Sequence, residues 1–160
     1  MNRRIAARLL LLSPAERLLL PRGEGGPIAE AAESFWFTVG GGLEPGESAA
    51  DAARREIIEE TGLTDAVLGP SVWYSEQILT FEGALTLFAE TFFVAHARNE
   101  ALDDAGWTEL EREMIREWRW WSLEDIAASD EVIFPVGLAD LLGAVIAGNY
   151  PAEPLVIARI

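Results

Sequence analysis

Between Ser48 and Gly62 the sequence specifies a helix at both of its ends, and this segment constrains the fold more than any other. Residues 48–61 are mostly strong helix formers, Ser48 is an N-cap with Asp51 three residues on as its acidic partner, and Gly62 stands where a left-handed C-cap belongs. Along this helix Glu56, Glu59 and Glu60 fall at i, i+3 and i+4, so their carboxylates share one face. Like charges at that spacing destabilise a helix by about 0.2–0.5 kcal/mol per pair, and Ala52 and Thr64, four residues away, carry no charge to relieve them. Only Arg55, four residues before Glu59, offers a positive charge at that spacing. Ala49, Ala52 and Ala53 belong to the same side, whereas Arg54, Ile57 and Ile58 project elsewhere. A solvated acidic stripe has no need of small neighbours. Clustered carboxylate oxygens suit a hard cation such as magnesium, which takes one or two carboxylates together with phosphate oxygens of a substrate.

Around this helix the chain alternates between strands and helices. Residues 5–12 and 17–20 read as two apolar strands about the turn Ser13-Pro14-Ala15-Glu16, with Arg22 just past the end of the hairpin, where it could steady a phosphate. Residues 23–34 form an expected surface loop before a short aromatic strand at 35–38. The run Gly40, Gly41, Gly42 is a loop that can bring backbone close to a ligand. Residues 71–80 and 84–97 are antiparallel strands across the turn Glu82-Gly83. A polar segment, 98–116, precedes a strand at 117–121, and Ser122 caps a short helix through Ala127 with Asp125 in support. A last helix spans 136–147, and residues 150–160 pack on the same domain. The expectation is one domain over 1–160, of α/β or α+β class, a mixed sheet with helices on its faces.

Composition removes several functions. A chain of 160 residues, half of them apolar, can bury one good core. Its longest apolar runs are broken by Ser13, Pro14, Glu16 and Arg17, so nothing is expected to span a membrane. The basic, then apolar start resembles a signal peptide only until Arg8 interrupts it, and it reads as a first strand. With no cysteine there is neither a disulfide framework nor a thiolate metal site, and a cytoplasmic location is expected. A net charge of −15 would repel DNA or RNA. A small anionic substrate stays open, because divalent cations and a few placed arginines invert the local field.

Read in order, the central residues are Gly41, five residues, Glu47, seven residues, Arg55-Glu56-Ile57, one residue, Glu59-Glu60, one residue, Gly62-Leu63. This is a complete Nudix box, and the chain resembles the bacterial, MutT-like Nudix hydrolases. The resemblance extends to the hairpin before the box, Phe35-Trp36, the strands after it, and the segment from Arg119 to Leu123. It departs at Val39, where relatives often place a proline. The resemblance implies an α/β/α sandwich and hydrolysis of a nucleoside diphosphate linked to another moiety, with magnesium or manganese. The linked compound would be a nucleoside triphosphate, a nucleotide sugar or a dinucleotide.

The resemblance also implies site residues. Glu59 and Glu60 would be the principal metal ligands, Glu56 a ligand or the general base, and Gly41 a backbone carbonyl ligand. Glu47, Arg55 and Gly62 are structural, Arg55 reaching back to the loop carboxylate of Glu47. Family members take the proton either with a box glutamate, here Glu56 or Glu59, or with an acid from a later loop, for which Glu111 is the candidate and Glu113 and Glu90 weaker ones. Trp36 is the candidate for stacking on a base, with Trp73 beside it, although strand aromatics are more often core. The single histidine, His96, is given no role. Two alternatives are weighed: a nucleotide-sensing Nudix domain without turnover, against which the intact box counts, and an isomerase of isoprenoid diphosphates, against which the absence of cysteine counts. The partner expected is a small nucleotide derivative, bound by a monomer or a homodimer.

Overall fold

In the computed structural model, residues 1–26 and 32–160 are described, so residues 27–31 of the expected surface loop lie outside it. Along the chain the elements are β1 (Asn2–Leu12), β2 (Leu18–Glu24), β3 (Ser34–Trp36), β4 (Val39–Gly42), α1 (Ala49–Thr61), β5 (Val67–Phe81), β6 (Ala84–His96), α2 (Glu109–Met114), β7 (Ile115–Trp121), α3 (Leu123–Ala128), α4 (Leu138–Ile146) and β8 (Leu155–Val156).

Strand β1 decides the layering. Successive side chains of a strand point to opposite faces, and here both faces are covered, which is why the run Leu9 to Leu12 is unbroken rather than alternating. Leu10 and Leu12 pack with Val72, Trp73 and Phe92 beneath α3 and α4, which contribute Ile126, Leu138, Leu142 and Val145. Ala7, Leu9 and Leu11 face the other way, onto Ala52, Ala53 and Ile57 of α1. The small residues of α1 therefore serve helix–sheet packing. The result is the expected sandwich of helices around a mixed sheet.

The sheet order is β3-β2-β1-β6-β5-β8, with β4 also on β1 and β7 also on β2. Strands β1 and β6 run parallel, as do β5 and β8, and the remaining pairs are antiparallel. The β5–β6 turn is made by Glu82 and Gly83, at φ 50° and 77°, as a tight hairpin requires.

Several boundaries differ from the sequence expectation. The three glycines are not a free loop but the strand β4, paired with β1 from Ala6↔Gly42 to Leu9↔Val39. Lack of a side chain makes that pairing tolerable: at Gly40, φ 142°, a β-carbon would stand 2.1 Å from the Ala7 carbonyl oxygen. Within the polar segment 98–116 lies α2, and β7 begins at Ile115 rather than 117. Helix α4 starts at Leu138, two residues later than expected, because Gly137 adopts a left-handed φ of 72°. Among the described residues, no helix is long and apolar enough to cross a membrane.

Candidate functional site

Helix α1 is held at both ends as its sequence demands. Ser48 Oγ accepts from the Asp51 amide at 3.1 Å, and Gly62, at φ 75°, donates its amide to Ile58 O at 2.9 Å. The helix thus keeps a fixed register against β4, and its buried glutamates, Glu56 and Glu60, meet the glycine strand. The Gly40 amide donates to Glu60 Oε2 at 3.0 Å. At Gly41 a β-carbon would come within 2.4 Å of Glu56 Oε1, so the strand fits the carboxylate only because it is glycine.

A third carboxylate arrives from α2. Thr108 Oγ1 accepts from the Glu111 amide, and Glu111 Oε1 accepts from the Thr108 amide at 3.0 Å, a reciprocal cap that fixes the glutamate at the helix start. Glu56, Glu60 and Glu111 each then offer an oxygen within 4.8 Å of the others. An oxygen-only donor set of three carboxylates, two of them buried, fits a hard divalent cation.

The electrostatics point the same way. Burial, only partly offset by the Arg55 charge and reinforced by Glu111, pushes the Glu56 carboxyl up to about 6. Burial, then the charges of Glu56 and Glu111, hold Glu60 well above the usual carboxylate range against the Gly40 amide and Arg8. Carboxylates crowded enough to resist ionisation gain most from a cation placed among them.

Arg55 ties the box together. Its Nε and Nη2 fork onto Glu47 at 2.8 and 2.9 Å, and Nη2 also donates to Gly42 O at 3.0 Å. Its Nη1 donates to Glu56 Oε1 and Glu59 Oε2, both at 3.0 Å. The fork holds Glu47 down at about 2, chiefly through those hydrogen bonds and then through the Glu44 amide. One guanidinium therefore locks the loop before the helix onto the helix itself.

Glu56, Glu60, Glu111 and the glycines 40–42 line a cavity of about 400 Å³, a volume suited to a nucleotide-sized ligand. Its lining also includes Phe35, Phe37, Phe81 and Phe88, and the arginines Arg4, Arg8 and Arg159. A second hollow of about 420 Å³, beside Trp107 and Trp118, has neither the glycines nor the carboxylate group.

Not every residue singled out in the sequence reaches this cavity. Glu59 is half-exposed and engaged by Arg55, outside the three-carboxylate group. Arg22 is occupied with Glu117 at 2.7 Å, Ser34 at 3.1 Å and Glu24 at 3.4 Å, at a sheet position away from the cavity lining. Trp36 is core, its ring edge-on to Trp121 at 5.0 Å, because strand alternation sends Phe35 and Phe37 to the cavity and the residue between them to the other face. Trp73 is likewise core, and Glu113 and His96 are exposed.

Glu90 lines the cavity, but its two oxygens are taken by Arg8 and Arg159. Burial raises its pKa, yet the charges of Arg8 and Arg159 and their hydrogen bonds prevail, leaving it at about 2. It is therefore an anchored anion rather than a proton acceptor. Arg8, Phe37 and Arg159 were not singled out from the sequence as site residues, and Phe35 only as part of the family resemblance. Strand periodicity marked Arg8, Phe35 and Phe37 without fixing which face they take, and nothing local marks Arg159.

A family model described as NUDIX domain matches residues 2–139, and the chain belongs to the NUDIX family. In fold it is similar to the crystal structure of the MutT protein from Methanosarcina mazei Go1, with a TM-score of 0.65 and 22% identity over 92% of this chain and 96% of that one. It is also similar in fold to the crystal structure of a UDP-X diphosphatase, with a TM-score of 0.64 and 17% identity over 98% of this chain and 67% of that one. A Bacillus subtilis (strain 168) protein named as a candidate 8-oxo-dGTP diphosphatase is 38% identical over 61 residues. That match spans 38% of this chain and 36% of the Bacillus protein.

Proposed function

We propose that this chain is a pyrophosphohydrolase that cleaves the phosphoanhydride of a nucleoside diphosphate linked to another moiety. Glu56, Glu60 and Glu111 would hold a divalent cation, magnesium or manganese. The observation that carries this reading is the meeting of those three carboxylates at a glycine-lined cavity inside a complete Nudix box. Such a cation would draw charge from the phosphate oxygens and acidify the attacking water.

The chain's own residues supply the remainder. The bare backbone of β4 leaves room for phosphates beside the carboxylates. Arg55 keeps Glu56 from swinging to solvent, which preserves the geometry that in-line attack at phosphorus needs. The proton of the attacking water passes to a carboxylate of the group. Glu111, its orientation fixed by the Thr108 amide, takes that role, with Glu56 as the alternative. Phe35 and Phe37 take over the stacking role first expected of Trp36.

The test is phosphate release after coupled phosphatase treatment, across nucleoside triphosphates, nucleotide sugars and dinucleotides, with magnesium, manganese or chelator. The panel includes 8-oxo-dGTP because of the Bacillus relative's name. Metal-dependent turnover of one class supports the reading, and no turnover of any class with either metal refutes it. Glu111→Gln is expected to lower kcat at least about tenfold, roughly 1.4 kcal/mol of barrier, and a smaller loss transfers the proton to Glu56.

A further inference from the structure

Strand alternation separates the two arginines at the start of β1. Arg4 lies opposite Phe88 of β6, which in turn lies opposite Gln77 of β5, and all three belong to the cavity lining. Arg3, one residue earlier, takes the other face of the sheet and is outside that lining. Arg4 is also exposed, so its side chain is open to a ligand in the cavity.

Two contacts fix where the Arg4 guanidinium stands. Its Cζ lies 4.4 Å from the centroid of the Phe81 ring and 6.0 Å from that of Phe88. Its Nη2 would be 3.6 Å from a β-carbon on Gly42, whereas a β-carbon on Gly41, the preceding residue, would be 2.4 Å from Glu56 Oε1. One residue along a strand is a step of about 3.3 Å. The cation and the carboxylate group therefore border the same cavity at adjacent residues of β4.

The three arginines of the lining differ in what they hold. Arg8 and Arg159 both donate to Glu90. Arg4 has no ion pair and no hydrogen bond among the described residues, and Glu82, which shares the lining, is not within ion-pair distance of it. A cation–π contact restrains a guanidinium without occupying its fork of N–H donors, the geometry that suits two phosphate oxygens. On a chain of net charge −15, a restrained cation left without a carboxylate inside a ligand-sized cavity is complementary to an anion from outside.

We infer that Arg4 is a binding residue for a phosphoryl group of the ligand, its fork taking phosphate oxygens beside Gly42. The inference rests on reading the cavity as a polyphosphate site, and its test reads binding rather than turnover. Methylenediphosphonate, a diphosphate analogue whose P–C–P bridge resists hydrolysis, is titrated calorimetrically into the full chain with magnesium present. Arg4→Gln should raise its Kd by about tenfold or more, and Arg4→Lys, which keeps the charge but not the fork, should raise it less. Arg3→Gln removes the same charge one residue away, outside the cavity, and should leave Kd within about twofold of wild type. Magnesium alone should shift thermal unfolding equally in wild type and Arg4→Gln, since the carboxylate group is the same in both.

Unchanged affinity for the probe in Arg4→Gln overturns the inference, as does a wild type that does not bind it. An equal loss in Arg3→Gln also overturns it, by reducing the effect to net charge. So does a magnesium response that falls together with probe affinity in Arg4→Gln, which would place the effect in the metal group. If Arg4-dependent binding stands while no nucleotide is hydrolysed, the proposed hydrolysis fails and the role of Arg4 survives. If nucleotides are hydrolysed while Arg4→Gln binds the probe as wild type does, the role of Arg4 fails and the hydrolysis stands.

Discussion

Gly41→Ala isolates the contact between the glycine strand and the carboxylate group. The added methyl would stand 2.4 Å from Glu56 Oε1 and 2.9 Å from its Cδ, whereas ordinary contact begins at 3.4 Å, so the carboxylate must retreat by about 1 Å. The backbone need not change, since Gly41 is outside the left-handed region. Glu56 can move only by leaving its rotamer or its bond to Arg55, at a cost of about 0.5–1.5 kcal/mol. For a chain of this size that is a fall in Tm of roughly 1–6 °C. A 1 Å misplacement within a catalytic constellation costs on the order of a hundredfold in rate. The expected outcome is therefore a large loss of kcat/KM with a small loss of stability, read by steady-state kinetics beside calorimetric unfolding. Wild-type kcat/KM in Gly41→Ala would refute the reasoning. A fall in Tm of more than about 10 °C would also refute it, since the loss would then be one of fold.

Three further outcomes are expected. Glu90 is held at about 2 in the folded chain against an ordinary 4.5, so its stabilisation is present above about pH 4.5 and is lost as the pH falls toward 2; at about 1.4 kcal/mol per unit the whole is about 3 kcal/mol, of which about 2 kcal/mol is lost between pH 7 and pH 3, measured by denaturant unfolding at those two values and absent from Glu90→Gln. Magnesium or manganese should raise Tm, by about 2.7 kcal/mol of stability at one hundred times Kd, and Glu60→Gln, which removes one of the crowded charges, should lower that response while raising the metal-free Tm. Trp36→Ala should cost about 3–5 kcal/mol of stability through the cavity left beside Trp121, with KM for the substrate moved less than by Phe37→Ala.

What the sequence revealed follows from how local each signal is. Helix α1 was legible to the residue because its caps are chemical events between neighbours, Ser48 with Asp51 and Gly62 with Ile58. The hairpin of β5 and β6 was legible from its turn. The three box glutamates were legible as a set, but their individual placement was not, since spacing on a helix cannot tell which one Arg55 draws outward. Trp36 was assigned to the wrong face because alternation fixes that neighbours differ, not which of them points inward. The glycines of β4 looked like a loop because glycine is poor in strands, and their use there is explained by the closeness of the Ala7 carbonyl at Gly40 and of the Glu56 carboxylate at Gly41. Arg159 gave no local signal at all. Its place depends on the pairing of β8 with β5, which joins residues about eighty positions apart in the chain.

The crowding of Glu56, Glu60 and Glu111 has a thermodynamic consequence for occupancy. Without a cation the group repels a polyphosphate, on a chain that already carries a net charge of −15. If the group holds a cation as proposed, the repulsion would become attraction, so cation and nucleotide would each raise the affinity for the other, and by linkage by the same factor. Loading of the cavity would then follow the concentration of the cation–nucleotide pair, and a rise in free nucleotide without its cation would leave the site largely unfilled.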